Sequence, residues 1–133
     1  MRCGSTSLYL LLQQHPEIFM SPIKEPMFWA AENLRRHGRD AGTVLSGKYI
    51  TQEAYLGLFA DAQQESWRGE ASHYLYHGDV AGLLHEEVPD ARLIVSLRNP
   101  SDRIFSEYLL RVRSWGLEGS FEDFLDQKRS GVV

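Results

Sequence analysis

The strongest constraint on this chain is the run from Arg92 to Tyr108, which reads Arg-Leu-Ile-Val-Ser-Leu-Arg-Asn-Pro-Ser-Asp-Arg-Ile-Phe-Ser-Glu-Tyr. Its apolar, β-branched opening, Leu93-Ile94-Val95-Ser96-Leu97, has the length and composition of a buried parallel strand. Arg98 stands at the carboxyl end of that expected strand, and Asn99-Pro100 then breaks the extended chain. Proline suits the first turn of a helix, where its missing N–H leaves nothing unsatisfied. A helix carrying Arg103, Ser106 and Tyr108 is therefore expected. Open parallel sheets bind ligands just beyond the carboxyl ends of their strands. A guanidinium there, with a hydroxyl two turns along the next helix, can clamp a phosphate. The residue types equally allow Arg98 to pair with a carboxylate and Ser106 to face solvent.

A buried parallel strand needs neighbouring strands and covering helices, and the rest of the chain offers both. Glu17–Ser21 and Ser66–Ser72 are strand candidates. Between and around them lie helix patterns at Leu8–His15, ended by Pro16, and at Asp79–Val88, ended by Pro89. Thr51 is placed to cap a helix whose Tyr55, Leu56, Phe59 and Ala62 recur at helical spacing, and Ser120 to cap another over Phe121–Lys128. The polar stretch Ala30–Tyr49, with Arg35, Arg36 and Arg39, reads as an exposed loop. Strands alternating with helices imply an α/β fold, a parallel sheet with helices on both faces. With 133 residues, one domain spanning 1–133 is expected.

Charge and composition exclude several classes of function. The net charge of −4 lacks the basic footprint of a nucleic-acid binder. No apolar stretch approaches the ~20 residues of a membrane span, and the N-terminus does not read as a secretory signal. The single cysteine, Cys3, rules out an internal disulfide and fits a reducing, cytoplasmic location. His73 and His77 are four apart but lack further ligands at metal-binding spacing, so no metal is expected.

Two more stretches carry chemistry. Arg2-Cys3-Gly4-Ser5-Thr6-Ser7 is a small, polar turn leading into a helix, with Ser5 or Thr6 as a natural N-cap. Such a turn aims free backbone N–H groups at an anion, and Arg2 adds a positive charge. It is not a Walker loop, because the Gly-x-x-x-x-Gly-Lys-[Ser/Thr] spacing is absent, which argues against a kinase-like enzyme. Pro22-Ile23-Lys24-Glu25-Pro26-Met27-Phe28-Trp29 is a proline-stiffened loop that holds Glu25 on constrained backbone. Glu25 is either half of a surface pair with Lys24 or a general base whose pKa burial raises toward the working pH.

Taken together, these stretches resemble the sulfotransferases that use 3′-phosphoadenosine 5′-phosphosulfate (PAPS), of the bacterial and heparan-sulfate type. The family's Lys-x-Gly-Thr-Thr-Ser-Leu loop is similar to Arg2-Cys3-Gly4-Ser5-Thr6-Ser7-Leu8. Gln14-His15-Pro16-Glu17-Ile18 is typical of it, and its Lys-Glu-x-x-Phe-Phe-like stretch resembles Lys24 to Trp29. Its Gly-Glu-x-Ser-x-x-Tyr-Leu stretch resembles Gly69 to Leu75. The 3′-phosphate motif Arg-[Asp/Asn]-Pro-x-x-Arg-x-x-Ser-x-Tyr is met in full from Arg98 to Tyr108.

The resemblance implies a P-loop-like sulfotransferase fold and transfer of a sulfuryl group from PAPS to an acceptor hydroxyl or amine, on a carbohydrate or another compound. It makes Glu25 the base and Arg2 a charge stabiliser. Arg2, Cys3, Gly4, Ser5, Thr6 and Ser7 would hold the 5′-phosphosulfate, and Arg98 and Ser106 the 3′-phosphate, without a metal. Three departures accompany it. Arg2 replaces the family's loop lysine, Ala71 stands where heparan-sulfate members carry a second lysine, and the chain matches only about half of the family's domain. A strand before Arg2 and a basic, glycine-containing segment after Val133 are expected to belong to the complete domain. Without them a nucleotide-binding remnant that does not turn over is the alternative reading, and association of copies through an uncovered apolar region is expected.

Overall fold

The structure is a computed structural model that describes residues 2–41 and 51–131. The chain divides into two compact units, one of residues 6–94 and a smaller one joining residues 2–5 to 95–131. In chain order the elements are α1 (Ser5–Leu12), β1 (Ile18–Met20), α2 (Phe28–Arg36), α3 (Gln52–Gly57), β2 (Trp67–Gly69), a single 3₁₀ turn (Tyr74–Tyr76), α4 (Val80–Glu87), α5 (Pro100–Trp115) and α6 (Phe121–Arg129).

Within the larger unit, β1 and β2 pair in parallel, Ile18 opposite Trp67 and Met20 opposite Gly69. Both strand candidates and their parallel pairing thus follow the sequence. α1 stops at Leu12 because Pro16 lies ahead, and the chain tightens through Gln14 N–H to Leu11 O and His15 N–H to Leu12 O bonds, both 3.1 Å. The Tyr9 hydroxyl, buried beneath the helix, donates to the Ser21 carbonyl at 2.7 Å and fixes α1 to the end of β1. The core of this unit gathers Met27, Ala30, Ala31 and Leu34 with Ala41 and with Val80 of α4. Beside it, Phe28 stacks on Tyr55 at 4.4 Å between ring centroids, and Trp29 Nε1–H donates to the Tyr55 hydroxyl at 3.2 Å.

Two expectations are corrected here. Residues 28–36, part of the stretch read as a loop, form α2; the 42–50 part of that stretch lies outside the described residues. Ala30, Ala31 and Leu34 fall on one buried face, while Glu32 pairs with Arg35 at 2.7 Å and Arg36 at 3.6 Å on the other. Arg36 reaches on to Glu86 and Glu87 and so staples α2 to α4. The second correction is larger. Leu93–Leu97 forms no strand, and no ladder partner pairs with it among the described residues. Leu93, Ile94, Val95 and Leu97 are 55–80% exposed, so a segment with the composition of a buried strand stands uncovered.

The smaller unit is built on α5 and α6. Asn99 caps α5 through a 2.9 Å bond from Ser101 N–H to its side-chain oxygen, and Pro100 occupies the first turn as expected. Ser120 and Asp123 form a reciprocal capping box at the start of α6. Phe105, Tyr108, Phe121 and Phe124 pack in edge-on and tilted pairs between the helices, with Phe124 fully buried. Glu107 ties both helices together, accepting from Arg103 at 3.0 Å, Arg111 at 3.2 Å and Lys128 at 2.9 Å.

No helix among the described residues is long and apolar enough to cross a membrane.

Candidate functional site

The smaller unit brings the two ends of the expected phosphate site together across more than ninety residues of sequence. Arg2 Nε–H donates to the Ser106 hydroxyl at 3.0 Å, and Arg98 Nη1–H donates to the Arg2 carbonyl at 3.4 Å. The Ser96 hydroxyl donates to the Cys3 carbonyl, which anchors the turn beside the segment that leads to Arg98. Among the described residues neither Arg2 nor Arg98 has a carboxylate partner, so Arg98 does not form the ion pair its residue type allowed. Both guanidinium groups are exposed, and Ser106 is half-buried with its hydroxyl held by Arg2. Two unneutralised guanidiniums beside a hydroxyl fit a phosphate or sulfate dianion.

The turn itself depends on Gly4. Its φ of +82° lies in the left-handed region, which glycine enters at no steric cost. α1 then starts at Ser5, so Gly4 rather than Ser5 or Thr6 is the residue preceding the helix. Ser5, Thr6 and Ser7 form the first turn, whose backbone N–H groups have no partner further back in the helix. Thr6 and Ser7 are exposed, and Cys3 is half-buried. Of the other residues in the 3′-phosphate motif, Arg103 is engaged with Glu107, and the Tyr108 hydroxyl donates to the Gly119 carbonyl at 3.0 Å. Those two hold α5 in place and are not free for a ligand.

Glu25 belongs to the larger unit. Its backbone and that of Met27 both have φ of 62°, on either side of the buried Pro26. Non-glycine residues in this region carry roughly 1–3 kcal/mol of strain and persist only where their surroundings impose them. Here the constraint comes from the segment after β2. Glu25 N–H donates to the Ala71 carbonyl at 2.8 Å and Met27 N–H to the Ser72 hydroxyl at 3.3 Å. The Ser72 hydroxyl in turn donates to Glu70 at 2.8 Å, as does the Tyr74 hydroxyl. Burial pushes the Glu70 carboxyl upward, only partly offset by its Tyr74 and Ser72 bonds, and the Glu25 charge adds to the rise. The same burial, with the Glu70 charge nearby, pushes Tyr55 up to about 12 and raises Tyr74 as well.

The Glu25 side chain is engaged at both oxygens. Lys24 Nζ lies 2.9 Å from Oε1 and His73 Nδ1 lies 3.2 Å from Oε2. Burial by itself would raise the Glu25 pKa, but the Lys24 hydrogen bond and charge, and after them His73, bring it below the ordinary carboxylate value. Of the two alternatives the sequence left open, the pair with Lys24 forms and burial does not raise the pKa: the carboxylate is 41% exposed and sits beside two cationic or donor groups. His73 was missed as a partner because 48 positions separate it from Glu25, and its spacing to His77 answered only a question about metals. Among the described residues there is no group of three or more potential metal ligands.

No family model matches the chain. Carbohydrate sulfotransferase 15 of Mus musculus is 31% identical over an alignment of 148 residues, covering 81% of this chain and 25% of that protein. The Homo sapiens protein of the same name is 30% identical over the same shares. A solved sulfotransferase from Alicyclobacillus acidocaldarius superposes with a TM-score of 0.82 at 34% identity, covering 98% of this chain and 54% of that one. The chain therefore spans about a quarter of the length of these curated relatives and about half of the solved one. Identity of this level across nearly the whole chain, joined to the same course of the backbone, places it: the chain belongs to the sulfotransferase family and has that family's α/β fold.

Proposed function

We propose that the protein transfers a sulfuryl group from PAPS to a hydroxyl or amine of a carbohydrate acceptor. The observation that carries this reading is the meeting of Arg2, Arg98 and Ser106, an unneutralised cationic cluster where the 3′-phosphate motif and the glycine turn converge. PAPS supplies an activated sulfuryl group whose departure leaves 3′-phosphoadenosine 5′-phosphate. Arg98 and Ser106 hold the 3′-phosphate, which distinguishes this nucleotide from simpler adenine nucleotides. Arg2 and the N–H groups of the Gly4–Ser7 turn stabilise charge that develops on the sulfuryl and 5′-phosphate oxygens. The bond from acceptor oxygen or nitrogen to sulfur forms as the sulfur–phosphate oxygen bond breaks.

Glu25 takes the acceptor's proton in the same scheme. With its pKa lowered it is ionised at neutral pH and a weak base. A weak base suffices, because the acceptor's proton becomes strongly acidic once the bond to sulfur begins to form. The carbohydrate acceptor rests on the names of the relatives.

The test incubates the chain with radiolabelled PAPS and a panel of sugars, aminosugars, phenols and alcohols, alongside a titration of 3′-phosphoadenosine 5′-phosphate. Label transferred to a carbohydrate, with tight nucleotide binding, supports the proposal. Nucleotide binding without transfer to any acceptor overturns it in favour of a non-catalytic nucleotide-binding protein.

A further inference from the structure

Resting on the reading of Glu25 as the base, we infer that His73 is its positioning residue, the group that aims the carboxylate at the acceptor. Glu25 needs such a partner. Its backbone is held in the left-handed region, while its carboxylate stands 41% exposed and is oriented only by the groups that reach its two oxygens. Lys24 engages Oε1, but it is an adjacent residue on a flexible four-carbon stem and behaves as a point charge. His73 is a different kind of partner. Its planar ring reaches Oε2 from the segment after β2, the same segment whose Ala71 carbonyl and Ser72 hydroxyl hold the backbone of Glu25 and Met27.

The ring is itself held. Its centroid lies 5.3 Å from that of His77 and 6.4 Å from that of Tyr76. An ionised carboxylate only accepts hydrogen bonds, so the short contact requires the hydrogen of the imidazole on Nδ1. The carboxylate is thus fixed at backbone and at Oε2 by a single stretch, Ala71 to His73.

Three variants and one spectroscopic measurement test the inference on the full chain. His73→Phe keeps the ring volume and removes the donor; His73→Asn keeps a side-chain N–H in the place of Nδ1–H; Glu25→Gln tests the base itself. Misplacing a reacting group by about 1 Å costs about 10²-fold, so His73→Phe is expected to lower kcat by about ten- to a hundredfold. The affinity for 3′-phosphoadenosine 5′-phosphate should stay within about twofold of the parent's, and His73→Asn should recover most of the loss. Nitrogen-15 NMR of the imidazole should show the Nδ1–H form in the parent. Turnover abolished by Glu25→Gln but kept in His73→Phe overturns this inference and leaves the base in place. His73→Asn as impaired as His73→Phe, or the Nε2–H form in the parent, overturns it too. Parental turnover in Glu25→Gln overturns the base and this inference together.

Discussion

Arg98 and Arg2 are exposed guanidiniums without a carboxylate partner among the described residues, so their charge is available to an anion. Arg98→Ala is therefore expected to weaken binding of 3′-phosphoadenosine 5′-phosphate at least about tenfold, since a charge-assisted contact contributes on the order of 1.5–3 kcal/mol. An analogue without the 3′-phosphate should lose little. Calorimetric titration of both ligands decides it, and an equal loss for both would remove Arg98 from the 3′-phosphate. Glu25→Gln preserves shape but cannot take a proton. Its turnover is expected to fall by about 10²–10⁴-fold while nucleotide affinity holds. Steady-state transfer assays beside the same titration measure the two effects separately. Both residues were legible as candidates in the sequence. Their partners were not, because a hydrogen bond across 96 or 48 positions leaves no periodic trace.

At the scale of elements, one carboxylate joins the aromatic packing in tying α5 to α6. Burial would raise the Glu107 pKa, but Lys128 and Arg103, each through a hydrogen bond and its charge, bring it below the ordinary carboxylate value. A depressed folded-state pKa contributes stability that is fully present above the unfolded value, about 4.3 for glutamate. That stability is lost as the pH falls through the still lower folded value. Glu107→Gln is expected to destabilise the α5–α6 pair by roughly 1–2 kcal/mol at pH 7. The gap between variant and parent should close on acidification below about pH 4. Thermal unfolding followed by circular dichroism at both pH values measures it; a gap that persists in acid would mean that packing, not charge, holds the pair. The caps of these helices were readable locally, since Asn99-Pro100 and Ser120 with Asp123 act within one turn. α2 was not, because the burial of Phe28, Ala30, Ala31 and Leu34 depends on distant partners, while Glu32, Asn33, Arg35 and Arg36 give the stretch a polar cast.

At the scale of the chain, Leu93–Leu97 is a continuous run in which four large apolar residues are exposed. Apolar segments of this kind without charges or proline favour association with another chain. The 133-residue chain is expected to show concentration-dependent association by light scattering, and Ile94→Lys, which puts a charge into the run, to reduce it. Monomeric behaviour of the parent at all concentrations would show that the run is quiet in isolation.

The sequence by itself determined what is local or carried by side-chain identity. It marked the helix starts at Thr51, Asp79, Pro100 and Ser120, the parallel partners near Ile18 and Trp67, and the residues able to hold an anion or a proton. Those depend on caps, periodicity and chemistry that operate within a few positions. Only the tertiary structure decided that Leu93–Leu97 lies outside any ladder among the described residues, because strand formation depends on hydrogen-bonding neighbours brought from elsewhere in the chain. It alone decided that Arg2 meets Ser106 rather than solvent, and that Glu25 is lowered rather than raised. Electrostatic shifts follow the distances to Lys24 and His73, and distance across the fold is a property of packing, not of order along the chain.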